Sequence, residues 1–341
     1  MNNIVIIIAE AGVNHNGDLK QAKKLIDAAA LAKVDYVKFQ TFKAEKIVSP
    51  DAKKAEYQSK NNAGENNSQF EMLKKLELSD EDHLELIEYC KKKEVKFFST
   101  AFDVDGIDYL DSLGFDIFKI PSGEITNYPY LKRTAEKGKP IILSTGMSNI
   151  REIEEAVNVL IQFGSKKDNI TILHCNTEYP TPMIDVNLKA MLTIGKYIDT
   201  KIGYSDHTLG IEVPIAAVAL GATVIEKHFT LDRTLPGPDH RASLEPDELK
   251  EMVSTIRNIE KAISGNGEKK PSNSDTRNTS IARKSIHLNT NLTKRSVISE
   301  EDIIALRPAT GISPMKWNDV IGKVLVNDKD KFYKLKWEDL L

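Results

Sequence analysis

Two histidines and two lysines at the ends of short apolar runs are the first residues in this chain that could do chemistry. KIGYSD (201–206) leads directly into His207, and ATVIEKH (222–228) closes on His228 with Glu226 two residues before it. Neutral imidazoles brought together are a common way to hold a divalent metal while leaving positions open for substrate. Two unrelated, hydrogen-bonded histidines are the plain alternative. The lysines are Lys38 in DYVKFQ (35–40), two residues before Gln40, and Lys119 in FDIFKI (115–120), followed by Ser122. Such a lysine is a Schiff-base nucleophile, an anion clamp for phosphate or carboxylate, or a surface side chain with its head in water. Two of them with a hydroxyl nearby favour the clamp. SGEITN (122–127) adds a tight turn at Gly123 and the carboxylate of Glu124.

Strands must position these groups. Eight short apolar segments follow one another: IVIIIAE (4–10), DYVKFQ (35–40), KFFST (96–100), FDIFKI (115–120), IILST (141–145), ITILHC (170–175), KIGYSD (201–206) and ATVIEKH (222–228). Most are separated by stretches of helical periodicity. Leu19, Ala22, Leu25, Ile26 and Ala29 share a face behind the N-cap Asp18, and Ser79 with Asp82 opens a helix over 79–92. Residues 150–163 and 246–263 show similar amphipathic spacing. Alternating strands and helices in this number predict a (β/α)₈ TIM barrel, an α/β fold whose chemistry sits at the C-terminal ends of the strands. The candidate ring is then Glu10, Lys38, Gln40, Thr100, Lys119, Ser144, His207, Glu226 and His228. Period-two alternation puts Val224, Glu226 and His228 on one side of the last strand and Ile225 and Lys227 on the other. Gly203, Ser205 and His207 likewise share a face.

The connecting segments are less telling. EAGVNHNG (10–17) reads as a βα loop with Asx-turn chemistry at Asn14 and Asn16. LPGPDHRAS (235–243) reads as a rigid loop carrying Asp239 and His240. The long polar stretch 44–70 is expected to be a loop that serves as lid or substrate contact. Residues 264–280 read as a flexible linker. The expected organisation is a barrel over 1–265, a linker over 266–282 and a small domain over 283–341 with strands in RKSIHL, SVIS and KVLV.

Composition narrows the class. Forty-seven basic against 50 acidic residues leave a net charge of −3, without the basic excess that marks nucleic-acid partners. Two cysteines, Cys90 and Cys175, are too few for a disulfide framework and suit a reducing compartment. The run IVIIIA is far shorter than the ~20 residues a bilayer requires and lacks a basic flank, so neither membrane span nor signal peptide is expected. The expectation is a soluble cytoplasmic protein.

Taken together, IAEAGVNHNGD, VKFQTFKAE, KIPSGEITN, LSTGMS, LHCNTEYPTP, GYSDHT, IEKHFTLD and GPDHRAS, followed by RKS and RPATGISP, resemble the bacterial sialic acid synthase family. That family includes N-acetylneuraminate synthases and their legionaminic and pseudaminic acid relatives. The resemblance covers nearly the whole chain. It implies a barrel joined to a C-terminal antifreeze-like (SAF, β-clip) domain. The implied reaction is condensation of phosphoenolpyruvate with an N-acetylated mannosamine-type sugar in a domain-swapped homodimer.

By the same resemblance, His207 and His228 are metal ligands, for Mn²⁺ or, alternatively, Mg²⁺ or Co²⁺. Lys38, Thr100, Lys119, Ser122, Ser144 and Ser205 correspond to the phosphoenolpyruvate pocket. Glu10, Glu124 and Gln40 correspond to groups near the reacting carbons. Tyr179 and Asp239 match sugar contacts, and Arg307 matches an arginine that reaches the sugar from the other subunit. N-acetylmannosamine is the expected acceptor, giving N-acetylneuraminate. The alternative is 2,4-diacetamido-2,4,6-trideoxymannose, giving N,N'-diacetyllegionaminate; a pseudaminate synthase and a Schiff-base aldolase stand further back. The chain departs from relatives at Ala101, where proline is usual, and at Asn176–Thr177, where Thr177 takes the place of a pocket asparagine.

Overall fold

The computed structural model describes residues 4–61 and 68–341. Eight parallel strands form one sheet: β1 (Ile6–Gly12), β2 (Tyr36–Thr41), β3 (Lys96–Ala101), β4 (Phe118–Ile120), β5 (Ile141–Ser144), β6 (Ile170–His174), β7 (Lys201–Asp206) and β8 (Val224–His228). Their order is β3-β2-β1-β8-β7-β6-β5-β4, and β3 packs beside β4 to bring the sheet round into a (β/α)₈ barrel. The expected barrel is therefore the observed one, although β4 keeps only the last three residues of FDIFKI.

The helices form where the sequence supplies both a start signal and an apolar stripe. In helix Ile150–Gln162, Asn149 Oδ1 accepts the Arg151 and Glu152 amides at 2.9 and 3.2 Å, and Glu152 returns a bond to the Asn149 amide at 2.8 Å. This capping box satisfies amides that have no partner inside the helix. Ile153, Ala156, Val157 and Leu160 then recur at helical spacing and are all buried. Burying a residue such as Leu160 contributes roughly 2 kcal/mol, and truncating it to alanine would cost about 2–5 kcal/mol. Helix Leu19–Ala32 starts on Asp18 and helix Asp80–Lys92 on the Ser79–Asp82 box, as expected.

The barrel interior is layered by strand alternation. Ile8, Phe98, Ile142, Leu173 and Val224 form an apolar plug, with Tyr36 and Ile117 packed against it. Two residues further along the same strands stand Glu10, Thr100, Ser144, Cys175, Glu226, Lys38 and Lys119. The period of two thus converts an apolar floor into a polar ring one layer higher. Between sheet and helices lie two larger apolar clusters, one around Ile7, Leu25 and Leu249 and one around Leu143, Leu160 and Ile172. No helix among the described residues is long and apolar enough to cross a membrane.

The chain divides into a unit over Met1–Ser264 and a second over Gly265–Leu341. In the second unit β9 (Ser285–Leu288) pairs antiparallel with β10 (Ile303–Leu306) over a small core that includes Ile286, Leu288, Ile298, Val320 and Leu335. Three expectations need correction here. SVIS and KVLV form isolated bridges rather than named strands, Val297↔Val324 between them and Leu325↔Leu340 from KVLV, and β10 comes instead from the segment after the turn at Glu300–Asp302. The expected linker carries a helix, Asn273–Ala282, opened by the Ser272–Asp275 capping box. None of its residues is buried, so local capping rather than packing specifies it.

The stretch 44–70 also differs from a long loop. It holds the short helices Ala44–Ile47 and Glu56–Asn61, and Gln69 begins another, Gln69–Lys74. Its residues 62–67 lie outside the described part of the chain.

Candidate active site

Glu226 sits at the centre of the polar ring. Its Oε1 lies 2.6 Å from Lys119 Nζ and accepts a bond from Ser205 Oγ at 2.9 Å, while its Oε2 lies 3.5 Å from Lys38 Nζ. Lys38 Nζ also meets Glu10 Oε2 at 2.7 Å and donates to Thr100 Oγ1 at 2.9 Å. Gln40 Nε2 reaches Glu10 Oε1 at 3.4 Å. The neighbouring pairs follow from register, since Glu10 is aligned with Lys38 and Gln40 with Thr100. The Lys119–Glu226 contact instead spans the barrel, because β4 and β8 lie four strands apart in the ring.

All four charged groups are nearly inaccessible, with side-chain exposures between 2 and 7%. Burial alone would neutralise each of them. For Glu226 the Lys119 and Lys38 ammonium groups overcome that burial and hold the carboxyl well below the carboxylate range. Burial lowers Lys119 despite Glu226, whereas the Glu10 and Glu226 carboxylates outweigh burial at Lys38 and raise it. Burial pushes Glu10 up to about 7 against the pull of Lys38. Glu124, half-buried, is also raised by burial, although Asn127 Nδ2 donates to its Oε2 at 2.5 Å.

Hydroxyls and a close backbone turn complete this side. Ser144 Oγ is buried without a hydrogen-bond partner among the described residues. Ser122 Oγ accepts from the Gly146 amide at 2.9 Å and touches Cys175 Sγ at 3.3 Å. A side chain at position 146 would place Cβ 2.5 Å from Thr177 Cγ2 and 2.9 Å from Ser122 Oγ, so only glycine lets this turn approach.

The histidines lie beside the ring. Their centroids are 5.5 Å apart, and Tyr179 stacks on His207 at 4.1 Å and meets His228 edge-on at 5.5 Å. His207 Nδ1 bonds the Asn176 carbonyl, which can only accept; the proton is therefore on Nδ1, and Nε2 keeps its lone pair. Burial lowers His207 to about 4 and His228 well below its ordinary range, so both rings are neutral at physiological pH. His228 Nδ1 is buried without a hydrogen bond, and Asp239 Oδ2 stands 4.0 Å from it. Burial, assisted by Glu10, pushes Asp239 up to about 7. Two neutral imidazoles, one with an unsatisfied buried nitrogen, fit the chemistry of a divalent cation. Among the described residues no group of three His, Cys, Asp or Glu side chains forms a closed metal cage, so further positions on an ion would fall to substrate or water.

One cavity of about 620 Å³ collects nearly every candidate: Glu10, Lys38, Gln40, Thr100, Lys119, Ser122, Glu124, Ser144, Tyr179, Ser205, His207, His228 and Asp239. Arg307 belongs to the other unit, exposed just after β10. Thr177 lines the cavity, whereas the Asn176 side chain accepts the Glu178 amide at 2.7 Å. His240 is bonded instead to Thr230 Oγ1 at 2.7 Å and to Asn16 Oδ1 at 3.3 Å. Sequence reasoning placed Glu226 beside the histidines but did not anticipate its position between the two lysines. It gave Cys175 no place in the site, although Cys175 follows Leu173 by two residues. From the 44–70 stretch, Ile47, Gln58 and Gln69 reach the cavity wall.

The profile of the NeuB family matches residues 25–269. An N,N'-diacetyllegionaminic acid synthase of Campylobacter jejuni is 55% identical over 319 residues, covering 94% of this chain and 95% of that protein. An N,N'-diacetyllegionaminic acid synthase of Legionella pneumophila is 50% identical over 336 residues, covering 98% of this chain and 94% of that protein. Among solved structures, an N-acetylneuraminic acid synthetase from Leptospira borgpetersenii in complex with citrate superposes with a TM-score of 0.70 at 41% identity, covering 81% of this chain and 90% of that one. The chain belongs to the NeuB family.

Proposed function

We propose that this protein condenses phosphoenolpyruvate with 2,4-diacetamido-2,4,6-trideoxymannose and water to give N,N'-diacetyllegionaminate and inorganic phosphate. The observation that carries the choice of acceptor is the identity of 55% and 50%, nearly end to end, with two legionaminic acid synthases. N-acetylmannosamine, the acceptor expected from sequence motifs, becomes the second reading. The motifs that carried that expectation are common to the whole family and do not report on substituents at C4 and C6 of the sugar.

The ring suits an anionic substrate. Lys38 and Lys119 offer two ammonium groups on rigid strands, with the hydroxyls of Thr100, Ser122, Ser144 and Ser205 around them. Glu226, between the two lysines, holds both ammonium groups in position. In the proposed reaction C3 of the enolpyruvate forms a bond to C1 of the open-chain sugar. Water then adds to the resulting cationic C2, and phosphate leaves with cleavage of its C–O bond. Glu10, pushed up to about 7 by burial, is able to carry a proton near neutral pH, with Gln40 orienting it, and Glu124, also raised by burial, is the second candidate for proton transfer. A divalent ion on His207 and His228, Mn²⁺ or alternatively Mg²⁺ or Co²⁺, would polarise the sugar aldehyde as a Lewis acid. Tyr179 and Asp239, on the wall of the same cavity, are the proposed contacts to the sugar. The same proposal includes a cytoplasmic homodimer in which Arg307 of one chain completes the sugar site of the other.

The test is phosphate release from phosphoenolpyruvate with Mn²⁺, comparing the two sugars. Strong preference for the diacetamido sugar is expected; preference for N-acetylmannosamine would restore the N-acetylneuraminate reading. Reductive trapping of pyruvate on Lys38 or Lys119 by borohydride would replace both with an aldolase.

A further inference from the structure

Behind the two histidines, on the outer face of the same strands, lies a charge pair that the cavity chemistry does not use. Lys227 and Asp206 are both fully buried, are register partners across β7 and β8, and are in contact through Nζ and Oδ2. Lys227 Nζ also donates to the Thr208 carbonyl at 2.5 Å. Asp206 accepts the Thr208 amide at 3.1 Å and the Thr208 hydroxyl at 3.0 Å. These bonds close over the backbone from 206 to 208, with His207 in the middle, and tie it to the residue immediately before His228. The ladder between β7 and β8 ends at this pair, one residue short of the histidines; β1 still pairs with His228 through Glu10, but no strand-to-strand pairing joins His207 to His228.

A buried ion pair is a weak source of stability, because desolvation consumes most of the attraction, and an apolar pair of similar volume often serves as well or better. Its value lies in geometry: a charge pair with directed bonds has one arrangement, whereas apolar side chains slide.

We propose that Lys227, Asp206 and Thr208 are positioning residues that set the separation of His207 and His228 for a shared divalent cation. The inference rests on the reading of those histidines as metal ligands. It is tested in the full-length chain with the double substitution Asp206→Leu and Lys227→Met, which removes both charges at similar volume. The readouts are the thermal midpoint and the Mn²⁺ dissociation constant, measured by the electron paramagnetic resonance of free Mn²⁺ without substrates.

The expected result is a variant that folds, its midpoint lowered by the loss of the bonds to buried Thr208, with Mn²⁺ affinity weakened about tenfold or more, the scale seen when groups supporting metal ligands are removed. A folded double variant with wild-type Mn²⁺ affinity overturns the inference and leaves the metal reading intact. A wild-type protein that binds no Mn²⁺ overturns both. Should the double variant not fold, Thr208→Val removes one hydroxyl bond to Asp206 at nearly constant shape. It is expected to weaken Mn²⁺ by a smaller, measurable factor, and unchanged affinity would overturn the inference.

Discussion

Lys119 and Glu226 meet at 2.6 Å across the interior of the barrel, from strands on opposite sides of the ring. The contact takes two charges out of water, and it is favourable only while both are present. Glu226→Gln keeps the size of the side chain but leaves two buried ammonium groups with a weaker partner. The expected loss of stability without substrate is about 3 kcal/mol, the scale for breaking a buried pair. Phosphoenolpyruvate should restore part of it by supplying the missing negative charge. Thermal melts of both proteins with and without phosphoenolpyruvate check this; equal ligand-induced shifts in the two would refute it.

Lys119→Met should raise the KM for phosphoenolpyruvate about tenfold or more, since a hydrogen bond to a charged group is worth ~1.5–3 kcal/mol. The KM for the sugar should stay nearly constant. Steady-state kinetics with each substrate varied in turn separate the two.

Glu10 gives a pH signature. Its carboxyl is raised from 4.5 to about 7 by burial, so between those values the folded protein holds a proton that the unfolded chain releases. This contribution to stability is complete below pH 4.5 and is lost as pH rises through 7. Glu10→Gln cannot ionise and escapes the loss. Relative to wild type the variant should gain stability with rising pH across that window, by about 1 kcal/mol per unit. Denaturant titrations at several pH values test it, and a constant difference would mean that Glu10 is ionised throughout.

His207→Ala should abolish metal-dependent turnover, and chelation of the wild-type protein should do the same until Mn²⁺ is returned. Full activity after exhaustive chelation would remove the metal from the mechanism. Asp239→Asn, which leaves both imidazoles in place, should instead act mainly on the sugar KM.

Arg307→Ala, or removal of 284–341, should raise the sugar KM tenfold or more while that for phosphoenolpyruvate changes little, on the scale of one lost charged hydrogen bond. Unchanged sugar kinetics would mean that the small unit does not complete the site.

Much of this protein was determined locally, at ranges where sequence and geometry coincide. A period of two along a strand sends Ile8 to the apolar floor and Glu10 to the ring above it, and Val224, Glu226 and His228 climb the same face. Capping residues such as Asp18 and Ser79 announced their helices because the bonds they make reach no more than three residues along the chain. The expected candidates on the barrel therefore converge on one cavity.

What only tertiary structure decided are relationships between residues remote in the chain. No local rule tells Lys119 that its partner is Glu226, or that Tyr179 stacks on His207. Barrel closure brings β4 to face β8, and pairing of β7 with β8 makes the outward residue Lys227 a partner for Asp206. In the small unit, the strength of SVIS and KVLV as apolar runs did not decide strand pairing; the turn at Glu300–Asp302 did, by returning Ile303–Leu306 alongside Ser285–Leu288. Alternation and capping depend on one backbone segment at a time, whereas shared charges and stacked rings depend on where several segments end together in space.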